Sequence, residues 1–259
     1  MGATTAEDFT ARLRRRERLV GYWVVCDNPV GTERIAGLGY DYVGIDVQHG
    51  LLDYAGTLSA LTAVDARGRA AGVVRVPAKD PAWVGRALDA GARAVIVPLV
   101  DSAEEAAAMV RATRYPPHGI RSYGPMRSAL RVGPVPAEAD DAVACIVMIE
   151  TAAALDAVEE ICATPGLDAV YVGPSDLALA LGARWPGDPD VSDALQDAMK
   201  RVADAAAAAG IAAGAHSPDG ATAVRRFETG FTFATIASDL THLEQSAAAH
   251  LAQVRPADS

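Results

Sequence analysis

The chain has 259 residues, a net charge of −10 and a pI near 4.9, with 51% apolar but only 5% aromatic residues. Small aliphatic side chains must therefore fill its core, and the acidic balance argues against a nucleic-acid partner, which would need clustered positive charge. If the protein handles small anions, positive charge must be concentrated locally, on a metal ion or a few arginines.

Short apolar, β-branched runs alternate with Ala-rich segments of helical period along the chain. Most of the runs are continuously apolar, which is typical of parallel strands buried on both faces. Eight strands are predicted in this way, at residues 20–26, 42–47, 72–77, 94–100, 143–150, 169–173, 211–216 and 231–238.

The segments between the strands carry helix signals. Asp80 precedes a proline at a first helical position, and Ser102 with Glu105 fits a capping box. Thr151 can cap a helix with an apolar stripe over residues 155–161, and Ser217 with the next proline can open another. The periodicity predicts further helices at residues 191–209 and 239–251.

Eight strand–helix repeats predict an α/β fold, a single (β/α)₈ TIM barrel over residues 1–259. A doubly wound open sheet is the alternative. It usually carries a Gly-rich phosphate turn after its first strand, and residues 26–29 are not such a turn. The connection at residues 114–142 is unusually long, as in a functional loop or a Pro/Gly-rich surface loop.

The cysteines and the N-terminal segment indicate the compartment. Cys26, Cys145 and Cys162 are odd in number and lack CxxC spacing, which argues against a disulfide framework and a thiolate zinc site. Arginines interrupt residues 12–18, where a signal peptide would be apolar, and no apolar run approaches the roughly 18 residues of a spanning helix. We expect a cytoplasmic protein without a membrane partner.

Carboxylates follow two of the predicted strands, at the end where barrel enzymes place their active sites. Glu150 and Asp176 each come after an apolar strand, where an ionised group is costly unless it is paired or metal-bound. Together they would form a hard oxygen site suited to Mg²⁺ or Mn²⁺. The alternatives are a helix N-cap for Asp176 and a salt bridge for Glu150.

Two basic side chains stand at the same end of the predicted barrel. Arg75 lies inside an apolar strand and needs an anion or a developing negative charge to face, unless it forms a structural ion pair across the barrel. His49 follows Asp46 by three residues and precedes a glycine. We interpret His49 as a general base, with a structural histidine as the alternative.

Lysine provides a negative argument. The sequence contains only Lys79 and Lys200, and neither lies within a predicted strand, where a buried Schiff-base amine would be expected. If the protein is an aldolase, its electron sink should therefore be a metal rather than an imine.

The ordered motifs resemble one known family. They are Ile45-Asp46-Val47-Gln48-His49-Gly50, Val74-Arg75-Val76, Leu88-Asp89-Ala90-Gly91, Arg111-Ala112-Thr113-Arg114-Tyr115-Pro116-Pro117, Ile149-Glu150-Thr151 and Gly173-Pro174-Ser175-Asp176-Leu177. In this order they resemble the HpcH/HpaI aldolases, class II pyruvate aldolases that act on 4-hydroxy-2-oxo acids. The resemblance spans about residues 8–250, and the motifs at 111–117 and 173–177 are its most specific parts.

The resemblance implies roles position by position. Glu150 and Asp176 match ligands of a divalent metal ion, Mg²⁺, Mn²⁺ or Co²⁺. His49 matches the base that handles the C4 hydroxyl proton, and Arg75 matches the group that stabilises enolate charge. Asp89 matches an acid that pairs with the catalytic histidine of a neighbouring subunit. Asp46 is counted with the catalytic residues, and the substrate-contacting positions are Trp23, Met148, Tyr171, Pro174, Ser175 and His216.

Three residues depart from the best-known branch of the family, namely Gln48, Met148 and His216. Because of these departures, the resemblance does not identify the acceptor aldehyde or its preferred chain length. The expected reaction is reversible cleavage of a 4-hydroxy-2-oxo acid to pyruvate and an aldehyde, with oxaloacetate decarboxylation as a side activity. One alternative is a citramalyl- or malyl-CoA type lyase, whose CoA-binding surface is normally basic, but the longest basic run here, at 12–18, lies on the N-terminal helix. The other is a non-catalytic barrel that binds an oxo acid.

The resemblance also implies a homohexamer, a trimer of dimers whose C-terminal helices are exchanged between partners. The last predicted helix carries an apolar stripe at Leu240, Leu243, Ala247 and Leu251. This stripe fits packing on a partner and fits packing on the chain's own barrel equally well.

Overall fold

The protein forms a closed barrel of parallel strands in a computed structural model that describes residues 9–255. Each strand pairs with its sequence neighbours, and the last pairs with the first, so no sheet edge remains open. The closure confirms the predicted (β/α)₈ barrel and excludes the doubly wound sheet. The strands are β1 Leu19–Val24, β2 Tyr42–Asp46, β3 Ala71–Arg75, β4 Ala94–Val97, β5 Ala144–Ile149, β6 Ala169–Val172, β7 Ala212–Ser217 and β8 Phe233–Ser238.

Helices surround the barrel, and short 3₁₀ turns at Ser128–Leu130 and Pro189–Val191 interrupt two of the connections. The helices of the described residues are α1 Phe9–Arg14, α2 Pro29–Ala36, α3 Tyr54–Arg67, α4 Pro81–Asp89, α5 Ala103–Thr113, α6 Pro136–Ala142, α7 Ala152–Asp156, α8 Val158–Cys162, α9 Pro174–Ala180, α10 Ser192–Ala209, α11 Gly220–Glu228 and α12 Asp239–Val254. Within these described residues, no helix is both long and apolar enough to cross a membrane.

Several predicted caps are confirmed, and two helix predictions are wrong in detail. The side chains of Asp80, Ser102 and Thr151 each accept a backbone N–H at the start of a helix. The helix predicted after Thr151 breaks at Ala157 into α7 and α8. The helix predicted to open at Ser217 begins at Gly220 instead, because Ser217 completes β7 and the Asp219 side chain caps the helix by accepting the Thr222 N–H.

Aromatic rings fill the barrel interior because glycines opposite them make room. A Cβ on Gly214 would overlap the Phe233 ring, and one on Gly44 would approach the Trp23 ring to 2.6 Å. Beneath the C-terminal end, the Tyr171 hydroxyl donates to the Thr235 hydroxyl over 2.7 Å, and the Tyr42 hydroxyl bonds the same group at 2.8 Å. This buried layer forms a rigid floor under the strand ends.

The long connection at residues 114–142 joins α5 to β5 and contains a 3₁₀ turn and α6. A connection from a helix to the next strand lies at the N-terminal end of the barrel, away from the strand ends that carry barrel active sites. Within one chain, this connection therefore lies at the end of the barrel opposite those sites.

The last helix, α12, has no buried residue along its described length, Asp239–Val254. Leu240, Leu243 and Leu251 remain 48%, 67% and 56% exposed. The apolar stripe therefore does not pack on the chain's own barrel, one of the two possibilities that the sequence left open.

Candidate active site

A cavity of about 260 Å³ opens at the C-terminal ends of the strands. Nine predicted site residues line it: Trp23, His49, Arg75, Met148, Tyr171, Pro174, Ser175, Asp176 and His216. Val25, Gly173 and Ser238 also line the cavity and were not predicted. Each of the three ends a strand or directly follows one, so the strand-end rule applied to every strand would have found them.

Arg75 ends β3 and forms a two-pronged ion pair with Asp46, the last residue of β2. Its Nε and Nη2 donate to the two carboxylate oxygens over 2.9 and 2.6 Å, and the strand register sets the residues side by side. Burial acts to raise the pKa of Asp46, but Arg75 and two backbone N–H groups outweigh it and lower that pKa. The predicted alternative of an ion pair is present, but it uses only one edge of the guanidinium, which still lines the cavity.

His49 lies in a tight turn after β2, with its ring exposed at the cavity rim. The Oδ1 atom of Asp46 accepts the backbone N–H groups of Gln48 and His49 over 3.0 and 3.2 Å. A Cβ on Gly50 would overlap the carbonyl oxygen of Asp46, so the turn requires glycine there. One carboxylate thus positions both Arg75 and the backbone of His49, and leaves the imidazole free.

Glu150 and Asp176 bring two carboxylates to neighbouring strand ends. Glu150 follows β5 and is 2% exposed, while Asp176 lies in the first turn of α9, which follows β6. Within residues 9–255 neither carboxylate takes part in an ion pair, and Oε1 of Glu150 accepts the backbone N–H of Leu99 over 2.8 Å. Burial, together with the charge of Asp176, raises the pKa of Glu150 against the effect of that hydrogen bond. Among the described residues, no protein cation contacts either carboxylate of the pair directly.

Leu99 holds Glu150 through an unusual backbone conformation. Its φ is +56°, in the left-handed region that bulky side chains rarely occupy. Such strained residues persist where the surrounding structure fixes them, and they cluster at functional sites. Sequence reasoning missed Leu99 because the backbone supplies the contact and no side-chain signal announces it.

Aromatic side chains form one wall of the cavity. The Trp23 and Tyr171 rings stack with centroids 6.0 Å apart, and His216 meets the Trp23 ring edge-on at 5.9 Å. The Cζ atom of Arg75 lies 5.1 Å from the Trp23 ring centroid. Burial first, and then the charge of Arg75, lowers the pKa of His216 to about 4, so its imidazole is neutral at neutral pH.

A sequence model of the family described as HpcH/HpaI aldolase/citrate lyase matches residues 19–246. The chain belongs to this family. It is 38% identical to a hydroxypyruvate/pyruvate aldolase of Roseovarius nubinhibens over 96% of this chain and 97% of that protein. It is also 38% identical to a 4-hydroxy-2-oxovalerate aldolase of Rhodococcus jostii, covering 95% and 96% of the two chains.

A solved structure agrees with the sequence relatives. An HpcH/HpaI aldolase/citrate lyase family protein from Burkholderia cenocepacia superposes with a TM-score of 0.87 at 36% identity, covering 96% of this chain and 99% of that one. The chain is therefore a carbon–carbon lyase of the HpcH/HpaI family, as the ordered motifs predicted.

Class II aldolases of the HpcH/HpaI family are metal-dependent, and the carboxylate pair is suited to a cation. A buried glutamate that no cation neutralises is unfavourable on its own, so a bound divalent ion would relieve its desolvation. No group of three or more His, Cys, Asp or Glu side chains able to hold a metal occurs within residues 9–255. A cation here would therefore take two protein carboxylates and keep positions for water and substrate.

Gly173 supports the carboxylate pair by being small. A Cβ at this position would lie 2.8 Å from Oε2 of Glu150 and 3.0 Å from Cε of Met148. Any larger residue would displace the Glu150 carboxylate, which is buried and is not itself among the residues that line the cavity. The Gly173-Pro174-Ser175-Asp176 turn therefore needs glycine at its first position for a physical reason.

Asp89 does not lie in the cavity of its own chain. It ends α4, at the opposite end of the barrel from the cavity, and its Oδ1 accepts a hydrogen bond from Nη2 of Arg121 over 2.8 Å. The predicted pairing with a neighbouring subunit's histidine would need an assembly, so it stays a prediction.

The lysines and the N-terminal arginines are engaged away from the cavity lining. Lys79 contacts Glu105 over 2.6 Å, and Lys200 contacts Asp204 on the outer face of α10. Arg12 pairs with Asp41, and Arg14 pairs with Asp168. Two arginines of the basic run at residues 12–18 therefore already form ion pairs near the N-terminal end of the barrel, which leaves fewer of them for a basic CoA-binding surface.

Proposed function

We propose that this protein cleaves 4-hydroxy-2-oxo acids to pyruvate and an aldehyde, and adds pyruvate to aldehydes in reverse. The observation that carries the proposal is a pair of carboxylates at neighbouring strand ends: Glu150 is buried after β5, and Asp176 lines the cavity together with Arg75 and His49. The activities named for the relatives from Roseovarius nubinhibens and Rhodococcus jostii support the same reaction class. Decarboxylation of oxaloacetate would pass through the same enolate and is a proposed side activity.

Glu150 and Asp176 are the proposed ligands of Mg²⁺ or Mn²⁺, with Co²⁺ as a further candidate. When bound, the cation would supply Lewis-acid stabilisation of negative charge on the oxo acid oxygens. Hard divalent cations favour carboxylate oxygens over thiolate or imidazole ligands.

Different side chains are proposed to take the proton of the C4 hydroxyl and to stabilise the negative charge on the C2 oxygen. In cleavage, His49 takes the proton of the C4 hydroxyl, the C3–C4 bond breaks, and its electron pair moves into the enolate of pyruvate. Arg75 stabilises the charge that develops on the C2 oxygen, because its guanidinium is fixed by Asp46 before the reaction begins. Asp46 acts as a positioning residue for both groups.

The remaining site residues are proposed to hold the substrate. The first turn of α9 has no side-chain cap. The backbone N–H groups of Ser175 and Asp176 can therefore face the substrate carboxylate. Trp23, Tyr171 and Met148 line the cavity with apolar surface that excludes water from the enolate.

A coupled assay tests the proposed reaction. Pyruvate released from 4-hydroxy-2-oxovalerate should appear in a lactate dehydrogenase assay, vanish after chelation by EDTA, and return when Mg²⁺, Mn²⁺ or Co²⁺ is added. Full activity after exhaustive chelation, with pyruvate trapped by borohydride, would contradict the metal mechanism. Cleavage of malyl-CoA without cleavage of the oxo acid would favour the acyl-CoA lyase alternative.

His49→Ala should lower kcat by roughly 10²- to 10⁴-fold, the usual contribution of a general base. The melting temperature should hardly change, since the ring is exposed and makes no hydrogen bond within residues 9–255. Steady-state kinetics and thermal unfolding measure the two effects. His118→Ala, which removes an exposed histidine from the long connection, is the matched control. Turnover like that of the wild type in His49→Ala would remove the base assignment.

A homohexamer, a trimer of dimers, is the proposed assembly. It is supported by the exposed apolar residues of α12 and of the long connection, where Tyr123 and Met126 are 60% and 89% exposed. In such an assembly, the Asp89 end of one barrel would meet the cavity end of another. Sedimentation velocity would distinguish the hexamer from smaller assemblies.

A further inference from the structure

His216 is a polar side chain of the cavity that the proposed chemistry does not use. It lies near the end of β7, lines the cavity, and makes no hydrogen bond within the part of the chain that the structure describes. Its partner in the β8 register is Thr235, whose hydroxyl is already bonded by Tyr42 and Tyr171. The floor of the barrel therefore offers His216 no partner from this neighbour.

The other polar side chains near His216 and Trp23 already have hydrogen-bond partners. Ser238 caps α12, where its Oγ accepts the Thr241 N–H over 3.2 Å and bonds the Thr241 hydroxyl at 2.9 Å. Arg75 is fixed to Asp46, and Trp23 Nε1 donates to the same carboxylate over 3.3 Å. Among the described residues of β7, β8 and β1 that line the cavity, His216 is therefore the polar side chain without a hydrogen-bond partner.

The imidazole nitrogens of His216 remain reachable from the cavity. Neither of them is among the buried side-chain atoms of residues 9–255 that lack a hydrogen-bond partner, although the residue as a whole is half-buried. A neutral imidazole offers one N–H donor and one nitrogen acceptor. A hydroxyl group, which can donate and accept, can use either nitrogen, whereas a carboxylate or phosphate oxygen can only accept from the N–H.

The charges around His216 favour the neutral form. Arg75 reaches from β3 over the same Trp23 ring that His216 contacts and opposes a second positive charge there, while the carboxylate of Asp46 is paired with Arg75. The Trp23 ring packs edge-on against the imidazole and fixes its position. An anionic group of the substrate would find its partners at Arg75 or at a bound cation instead.

We infer that His216 is a specificity residue that recognises a hydroxyl group of the substrate by hydrogen bonding. The inference rests on the proposed function and deepens it by naming the substrate class, oxo acids or aldehydes that carry a hydroxyl next to their carbonyl. The hydroxyl belongs either to the donor, as in hydroxypyruvate, or to the acceptor, as in glycolaldehyde. A substrate without it leaves a half-buried polar group unpaired, which is the basis of discrimination.

Two matched substrate pairs test the role of His216, each differing by one hydroxyl. The donor arm measures the Kd of hydroxypyruvate and of pyruvate by calorimetry with Mn²⁺ present. The acceptor arm measures kcat/KM for glycolaldehyde and for acetaldehyde, with pyruvate as donor. The proteins are the wild type, His216→Leu, which removes the hydrogen bond, and His216→Asn, which keeps a donor and an acceptor. His118→Leu, at an exposed histidine outside the cavity, is the control.

In one arm the wild type and the control should favour the hydroxylated compound by at least about tenfold. His216→Leu should reduce that ratio to about threefold or less, and His216→Asn should restore most of it. The arm that responds identifies the hydroxyl as that of the donor or of the acceptor. Unchanged ratios in both arms for His216→Leu, with aldol product still formed, would overturn the inference. Absence of aldol product from every pair in the wild type would instead contradict the proposed function.

Discussion

Glu150→Gln is expected to abolish cation-dependent turnover while raising the melting temperature of the metal-free protein by roughly 2–4 °C, as ~1 kcal/mol would in a chain of this length. Glutamine keeps an oxygen that can accept the Leu99 N–H and removes a buried carboxylate that no cation contacts within residues 9–255. The same change removes one of the two proposed metal ligands, so added Mn²⁺ should no longer stabilise the variant.

The pH dependence follows from the direction of the Glu150 shift. The folded protein without metal holds the pKa of this carboxyl above its unfolded value, so the group contributes stability below the unfolded pKa. That contribution is lost as the pH rises through the folded pKa, because ionisation of the buried carboxyl then destabilises the folded state. Thermal unfolding with and without Mn²⁺ measures both effects. Glu104→Gln, at an exposed glutamate of α5, is the control, and a lower melting temperature in metal-free Glu150→Gln would contradict the account.

Arg75→Ala is expected to lower kcat/KM by about 10³-fold, because it removes the donor that faces the developing enolate charge. It also leaves the buried carboxylate of Asp46 without its cation, which should destabilise the fold by about 3 kcal/mol. The two effects can be separated. Guanidinium ion added at low millimolar concentration should restore part of the turnover of Arg75→Ala if the lost group acts on the substrate.

Arg75→Lys is the second variant for the same position. Its ammonium can pair with Asp46 but cannot span both carboxylate oxygens and also face the cavity, so stability should largely recover while turnover stays low. Equal kcat/KM in Arg75→Lys and the wild type would show that a positive charge suffices. It would contradict the role assigned to the fixed guanidinium.

The barrel could be predicted from the sequence because its signal is repeated eight times. Continuous apolar runs mark strands buried on both faces, and the strand-end rule then selects Glu150, Asp176 and Arg75 by position alone. The break at Ala157 could not be predicted, because the apolar stripe of residues 155–161 continues through it. Periodicity reports which face is buried and does not report where a helix changes direction.

The hydrogen bonds between the site residues were harder to predict from the sequence than the identity of those residues. Asp46 was placed beside His49 by sequence spacing, but its two-pronged bond to Arg75 depends on the β2–β3 register. Leu99 contributes only a backbone N–H, a group that nearly every residue type has, so its side chain gives no signal in the sequence. Asp89 lies outside the cavity of its own chain, so a role there depends on an assembly that one sequence does not display.

Deuterium exchange into the methyl group of pyruvate, followed by proton NMR without any aldehyde, tests most directly whether this site makes an enolate. The account predicts loss of the methyl signal in D₂O with enzyme and Mg²⁺ or Mn²⁺, and no loss with EDTA or with Glu150→Gln. Exchange that persists at the full rate in chelated enzyme or in Glu150→Gln would contradict it.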